Sequence, residues 1–466
     1  MISMTIGRTF LTAFNKKYNK SYTSKQFFET VFFELFFNHP KYMLWQTNSP
    51  FVQMKKGQKP HLLREEDRIE KLNNLAEKIT TGDRDASIAI GFPASETNEF
   101  ATTSGLVSDI DIPADEFGIY DSWIGAGLGI GVSGGYCIFF NDPEILLTLY
   151  DGWQVYRGFL NDNSIDKLAP NKINTWNGQW LNYYHGKKFR KGFDFGVLDN
   201  MKMFSHDKQG NILINTVKWS QLFFNLSSKF PDQTLMGYLY SLGQTNKTIG
   251  FIPFYFQQAR RIKDFYEILF GKNNAIKDSR AYEEMFGIHI KRACELGAIG
   301  LHALQPKDLK TYFGQGKIPN FKKTAIPVLK KGESEEDFQT RKQKASNKEY
   351  EKVILFRTYK TWLVAMLTKN KEDMLDYTEK IARALHEYRE DGRKTDRKNL
   401  IEKELLIAAS RKKFIDALAV VVKDVQSEYL EIIRELKKRV HLMTSEDFAY
   451  FVVLLRFDYA YEERNI

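Results

Sequence analysis

Apolar positions recur at helical spacing from the start of the chain. Phe10, Phe14 and Tyr18, then Phe27, Val31, Phe32 and Leu35, predict helix within residues 9–41, ending at His39-Pro40. Ile69, Leu72, Leu75 and Ile79 make one apolar stripe in a charged stretch and predict an amphipathic helix over residues 64–80. Between residues 86 and 140 the texture changes to short apolar runs broken by glycine, and residues 87–91, 107–112 and 136–140 read as strands. A helix over residues 143–160, strands over 211–217 and 250–256, and helices over 258–270 and 282–296 follow. Residues 330–349, rich in Lys, Glu, Ser and Gln, carry almost no apolar side chain and read as a linker. Beyond it, Val353, Leu355, Tyr359, Leu363 and Met366, then Tyr377, Ile381, Leu385 and Tyr388, predict two helices, and residues 401–425, 429–440 and 446–458 three more. The expected fold is α+β: a mixed α/β N-terminal body over residues 1–329, a polar linker over 330–349, and a C-terminal all-α helical bundle over 350–466.

Composition narrows the functional classes. The chain has 466 residues, 43% hydrophobic and 27% charged, enough for two or three domains with sizeable cores. No run approaches the roughly 18 consecutive apolar residues of a membrane span, and the closest, residues 27–37, is broken by Glu29, Thr30 and Glu34. No signal-peptide cleavage site follows residues 1–19, so a cytoplasmic protein without membrane contact is expected. Cys137 and Cys294 are too few and too far apart for a disulfide framework or a zinc site, and the eight histidines stand in no paired spacing. No metal or other cofactor is expected. Lys and Arg number 68 against 58 Asp and Glu, a net charge of +10, which favours a polyanionic partner.

Cations gather beside turns and aromatics. Lys55, Lys56 and Lys59 surround Gly57 in a basic turn suited to phosphate contact. The stretch from Thr175 to Lys191 runs from aromatics, with Trp176, Asn177 and Trp180, into Lys187, Lys188, Arg190 and Lys191, a pattern that suits base stacking followed by phosphate binding. Arg260 and Arg261 lie on an expected helix, and the bundle carries Arg393 with Lys394 and Arg411 with Lys412 and Lys413, cations that suit a backbone-tracking groove. The glycine-rich run at residues 125–135 is followed by a strand and lacks a GK[ST] sequence, so close approach of another backbone is expected there, not a phosphate loop. Asp109 and Asp111, two apart on an expected strand, have the spacing of a Mg²⁺-binding carboxylate pair in nucleotidyltransferases, but the Gly-Ser turn such enzymes use is missing. With no nucleophile elbow and no helicase phosphate loop either, a non-enzymatic role is expected.

The order of these parts, with the Thr102-Thr103-Ser104-Gly105 turn, the Trp176-Asn177-Gly178-Gln179-Trp180 stretch and the C-terminal segment Phe448 to Tyr459 with Arg456, resembles the large subunit of type I CRISPR interference complexes (Cascade), nearest the I-B group. Some relatives carry paired CxxC zinc sites, and this chain has none. The resemblance implies a non-catalytic subunit in antiviral defence that works with guide RNA, other Cascade subunits (backbone and guide-end-capping proteins, small subunits) and a recruited helicase-nuclease. It implies probing of target double-stranded DNA for a short flanking motif while the guide reads the rest. The residues it nominates are Lys55, Lys56 and Lys59; Asn98, Thr102 and Thr103; and Lys187, Lys188, Arg190 and Lys191. In the bundle, Arg393, Lys394, Arg411, Lys412 and Lys413 would hold target or displaced strand. A structural scaffold and a nucleotidyltransferase using Asp109 and Asp111 are the competing classes.

Overall fold

The computed structural model describes residues 2–45, 51, 54–81, 115–241, 247–288, 290–367, 371–391 and 394–464. The expected strands at 87–91 and 107–112, and with them Asn98, Thr102, Thr103, Asp109 and Asp111, lie outside the described residues, as does Arg393. The chain divides into two compact units, Met1–Gln257 with Cys294–Ile299, and Gln258–Ala293 with Gly300–Ile466.

The first unit opens with helix α1 (Ile2–Tyr18). A helical segment then runs through α2 (Ser24–Phe27), a π-type turn (Phe28–Phe32) and α3 (Phe33–Phe36). Thr23 starts it with a capping box, its hydroxyl accepting from the Gln26 amide while the Gln26 side chain accepts from the Thr23 amide. Helix α4 (Glu65–Thr81) realises the charged helix expected at 64–80. Helix α5 (Glu116–Gly127), capped by Asp115, leads into strands β1 (Ile130–Val132) and β2 (Tyr136–Phe140). Helix α6 (Pro143–Asn161) follows, with Asp142 as its cap and proline in its first turn. After it come α7 (Ile173–Tyr184), α8 (Phe195–Asn200), the hairpin β3 (Phe204–His206) and β4 (Ile212–Ile214), and α9 (Trp219–Lys229). Strands β5 (Thr234–Ser241) and β6 (Lys247–Tyr255) complete an antiparallel sheet of order β1-β2-β5-β6, in which Ile138 faces Leu239 and Gly237 faces Ile252.

Glycine sets the closest packing in this unit. A Cβ on Gly125 of α5 would lie 1.9 Å from the Ser3 carbonyl oxygen, and one on Gly7 of α1 would lie 1.9 Å from that of Asp121, so the two helices cross backbone against backbone. A Cβ on Gly178 of α7 would meet the Gly131 carbonyl of β1 at 2.2 Å. The glycine-rich run serves close approach of another backbone, as expected, but from two kinds of element: Gly125 from helix α5 and Gly131 from strand β1. Around these crossings Phe10, Phe27, Phe28, Phe32, Trp123, Trp153, Tyr156 and Trp176 form an aromatic core.

The second unit is mostly helical. It contains α10 (Phe256–Phe270, entered at Gln258), α11 (Lys272–Glu284), β7 (Phe286–Ile288), α12 (Ile290–Leu296, shared at its end with the first unit), β8 (Leu304–Pro306) and α13 (Leu309–Tyr312). It continues through α14 (Glu335–Met366), α15 (Lys371–Glu390), α16 (Lys394–Asn399) with a π-type extension (Leu400–Leu405), α17 (Arg411–Asp424), α18 (Leu430–Leu442) and α19 (Ser445–Glu462). The C-terminal helical region matches the α+β expectation. Helix α19 is buried against α14 and α15: Phe356 stacks on Tyr461 at 3.7 Å, Tyr359 on Phe457 at 4.5 Å, and the enclosed Lys360 ammonium meets the Asp458 carboxylate at 3.0 Å.

Three elements differ from the sequence reading. The polar run 330–349 is not a free linker: most of it is the first half of α14, started by Ser334, whose hydroxyl accepts from the Asp337 amide. The stretch 282–296 is broken by β7, and 401–425 by the turn after the π-type segment. The boundary between units falls at Gln257, and Cys294–Ile299 returns to the first unit because Ile299 bonds the edge of β6, donating to the Pro253 carbonyl at 2.8 Å and accepting from the Tyr255 amide at 2.9 Å.

Candidate nucleic-acid interface

The aromatic stretch that begins at Thr175 is helix α7, and its burial redraws the candidate site. Trp176 donates to the Gly152 carbonyl at 2.7 Å and Trp180 to the Thr148 carbonyl at 2.7 Å, both on α6. Asn177 donates to the Gly127 and Gly129 carbonyls at 2.8 and 2.9 Å and accepts from the Trp153 indole at 3.2 Å. Stacking on a base needs an open ring face, and readout needs a free amide. Trp176 and Asn177 have neither and belong to the core, which corrects their assignment as nucleic-acid-binding residues.

The basic residues that follow are placed differently. Helix α7 ends at Tyr184 with His185 as its C-cap, and the loop beyond is held down by two rings. Phe189 packs on Tyr184 at 4.7 Å and Tyr183 at 5.4 Å, and Phe193 on Trp180 at 5.5 Å and Tyr183 at 5.4 Å. Gly192 takes φ +83°, a conformation glycine adopts without strain, and Asp194, two residues on, caps α8. Between and beside the two rings Lys187, Lys188, Arg190 and Lys191 all point to solvent. Among the described residues none of the four has a carboxylate within 4.0 Å. The result is a fixed loop whose positive charge is uncompensated, the arrangement that gains most from meeting phosphates.

The turn at Lys55, Lys56 and Lys59 is closed by Gln58, which donates its amide to the Lys55 carbonyl at 2.9 Å and accepts from the Lys55 amide at 3.1 Å, with Gly57 at φ +88°. All three lysines are exposed. The turn runs into Pro60 and His61, which line a cleft with Lys41, Tyr42, Trp45, Lys167 and Asn171. Trp45 is 38% exposed, and the buried Tyr42 hydroxyl has no hydrogen-bond partner among the described residues; burial pushes it up to about 12. Sequence reasoning passed over this cleft, although lysine, tyrosine and tryptophan within five residues, at 41–45, were its signal.

In the second unit the candidates separate. Arg260 lies 3.9 Å from Asp264, and Arg261 sits over the Phe265 ring at 5.7 Å, so both are engaged on their own helix. Arg411, half-buried, donates to the Met443 carbonyl at 2.5 Å and tethers the end of α18. Lys412 and Lys413 are exposed in the first turn of α17. Cations there oppose the helix macrodipole, so helix stability does not explain them. Lys394 begins α16.

Among the described residues no group of three or more His, Cys, Asp or Glu side chains is arranged to hold a metal. What the fold defines is an α+β protein with a helical C-terminal region, and no helix among the described residues is long and apolar enough to cross a membrane. In comparisons with known proteins, no family model, no curated protein and no solved structure matches the chain.

Proposed function

We propose that this chain binds nucleic acid as the large, non-catalytic subunit of a type I, I-B-like CRISPR interference complex. In this role it joins guide RNA and the other Cascade subunits, probes target double-stranded DNA for the flanking motif and recruits the helicase-nuclease. The observation that carries the nucleic-acid part is the ring-anchored loop with its four exposed cations, Lys187, Lys188, Arg190 and Lys191, which meet no carboxylate among the described residues. A loop held by Phe189 and Phe193 has little conformational freedom left to lose on binding, so phosphate contacts made by its cations are not offset by ordering. The Lys55-Lys56-Lys59 turn offers a second exposed cation group in the same unit. The CRISPR assignment itself rests on the sequence resemblance.

The test is affinity for duplex DNA across a salt titration, made on the full chain and on Lys187→Glu/Lys188→Glu. Each lost phosphate contact lowers the slope of log affinity against log salt by about one, and charge reversal of two residues weakens binding about tenfold or more. Equal affinity and equal slope would remove the loop from the function. Co-purification of short repeat-derived RNA with partner subunits from the native host tests the assembly, and a clean monomer without RNA overturns it.

A further inference from the structure

The second unit displays an apolar segment that its own fold leaves uncovered. Residues 316–330 form no regular secondary structure and run as a strap beside the polar half of α14. The strap is fastened at one end by Phe321, buried among Phe356, Phe457 and Tyr461 at 5.6–5.7 Å, with its carbonyl accepting from Arg464 at 2.8 Å. The Lys322 carbonyl accepts from Lys352 at 2.5 Å, and the Thr324 amide donates to Glu349 at 2.9 Å. At the other end the Val328 carbonyl accepts from Arg341 at 3.0 Å, and the Lys330 amide donates to Glu333 at 3.0 Å, Glu333 itself being paired with Arg341 at 2.5 Å.

Between these fastenings Ile326, Val328 and Leu329 stand 80%, 79% and 51% exposed. Pro327 limits the backbone of Ile326 to extended conformations. Single exposed aliphatics are ordinary, but three within four residues, on a strap anchored through its backbone on both sides, are held out of the core by design of the contacts. Lys322 and Lys323 precede the apolar group and Lys330 and Lys331 follow it. Lys322 reaches Glu463 only at 3.9 Å, and Lys323, Lys330 and Lys331 have no carboxylate within 4.0 Å among the described residues.

We propose that this strap is a docking segment for another protein chain, one that offers an apolar groove for Ile326, Val328 and Leu329 with Asp or Glu side chains on both rims for the flanking lysines. Charge complementarity selects an acidic rim. The aliphatic side chains select a protein groove over nucleic acid, since they supply neither a planar face to stack on bases nor a donor to base edges. The strap lies wholly in the second unit and the loop at Lys187 in the first, and no residue of that loop enters the argument for docking.

The experiment places a photo-crosslinking amino acid at Ile326 of the full chain in its native host, and maps the adducts by mass spectrometry. The expected result is one protein, joined at a site bearing apolar residues flanked by Asp or Glu. That protein, purified, then binds the unmodified chain, and Ile326→Asp/Val328→Asp and Lys330→Glu/Lys331→Glu each weaken it at least tenfold with unchanged melting temperature. Reversing the mapped carboxylates to lysine restores binding to Lys330→Glu/Lys331→Glu. Adducts confined to nucleic acid, adducts spread over many proteins, strap-dependent binding of phosphatidylserine vesicles in place of a protein, or affinities unchanged by both variants would each overturn the proposal.

Discussion

Asn177 holds three parts of the first unit's core at once, with its amide divided between two α5–β1 carbonyls and its oxygen facing an α6 indole. Asn177→Ala takes this partner from the buried Gly127 carbonyl and Trp153 indole, while the Gly129 carbonyl keeps the Asn174 amide at 3.0 Å; the cost is about 3 kcal/mol, measurable as a shifted denaturant midpoint. The sequence placed this residue and Trp176 at a binding surface because it read composition, aromatics beside cations, ahead of spacing. Trp176, Trp180 and Tyr183 recur at helical intervals, which is the mark of a helix face turned inward. Lys187, Lys188, Arg190 and Lys191 were legible for the opposite reason, since charges that cannot be buried must stay outside wherever the chain goes. Two histidines give the first unit a pH response. Burial, helped by Arg157 and Arg68, lowers His39 to about 4, and burial with Lys229 lowers His185 to about 4. Unfolded, both take up a proton near pH 6.5. Below that value the unfolded chain therefore binds more protons, and stability falls as pH drops from 6.5 towards 4 while holding above 6.5. Melting temperatures measured across this range should show the fall, and His39→Gln/His185→Gln should flatten it.

Elements with an apolar stripe or strong end signals were read nearly to the residue. Helix α4 starts one residue from its expected position, β2 matches its expected range, and α6 extends the expected 143–160 by a single residue. Helix α14 shows the limit of periodicity. Its first half has no apolar face to detect, yet Ser334 followed by Glu335, Glu336 and Asp337 is a strong helix-start signal in sequence alone. The π-type turns at Phe28–Phe32 and Leu400–Leu405 leave no such trace, because they keep side chains of ordinary helix-compatible type. The glycine crossing of α1 and α5 sets up a paired test. Gly125→Ala forces a Cβ into the Ser3 carbonyl and should destabilise by about 3 kcal/mol. Gly158→Ala on α6, where an added Cβ meets nothing within 4 Å, should stabilise by about 1 kcal/mol through helix propensity. Thermal melts of the two variants should move in opposite directions.

At the scale of the whole chain, the division into units shows why the expected cut at residues 330–349 fails. The second unit draws on residues 258–293 as well as 300–466. Asp278, fully buried, accepts from Tyr266 at 2.7 Å and from Tyr350 at 3.0 Å and pairs with Arg357, tying α10 and α11 to α14. A fragment of residues 350–466 lacks this anchor and the strap, and should retain helical circular dichroism but show no near-ultraviolet signal and no cooperative melt, whereas residues 258–466 should show both. The α1–α5 crossing also orders events during synthesis. Arg8 and Asp121, which pair across it, are 113 residues apart. At ribosomal speeds of roughly 5–20 residues per second, α1 waits on the order of ten seconds before its partner exists. Throughout that interval Phe10 and Phe14 have the nearby Phe27 to pack on, the rest of the apolar face of α1 stays open to whatever binds nascent apolar chain, and the first unit completes its core only after α5 and α6 have been translated.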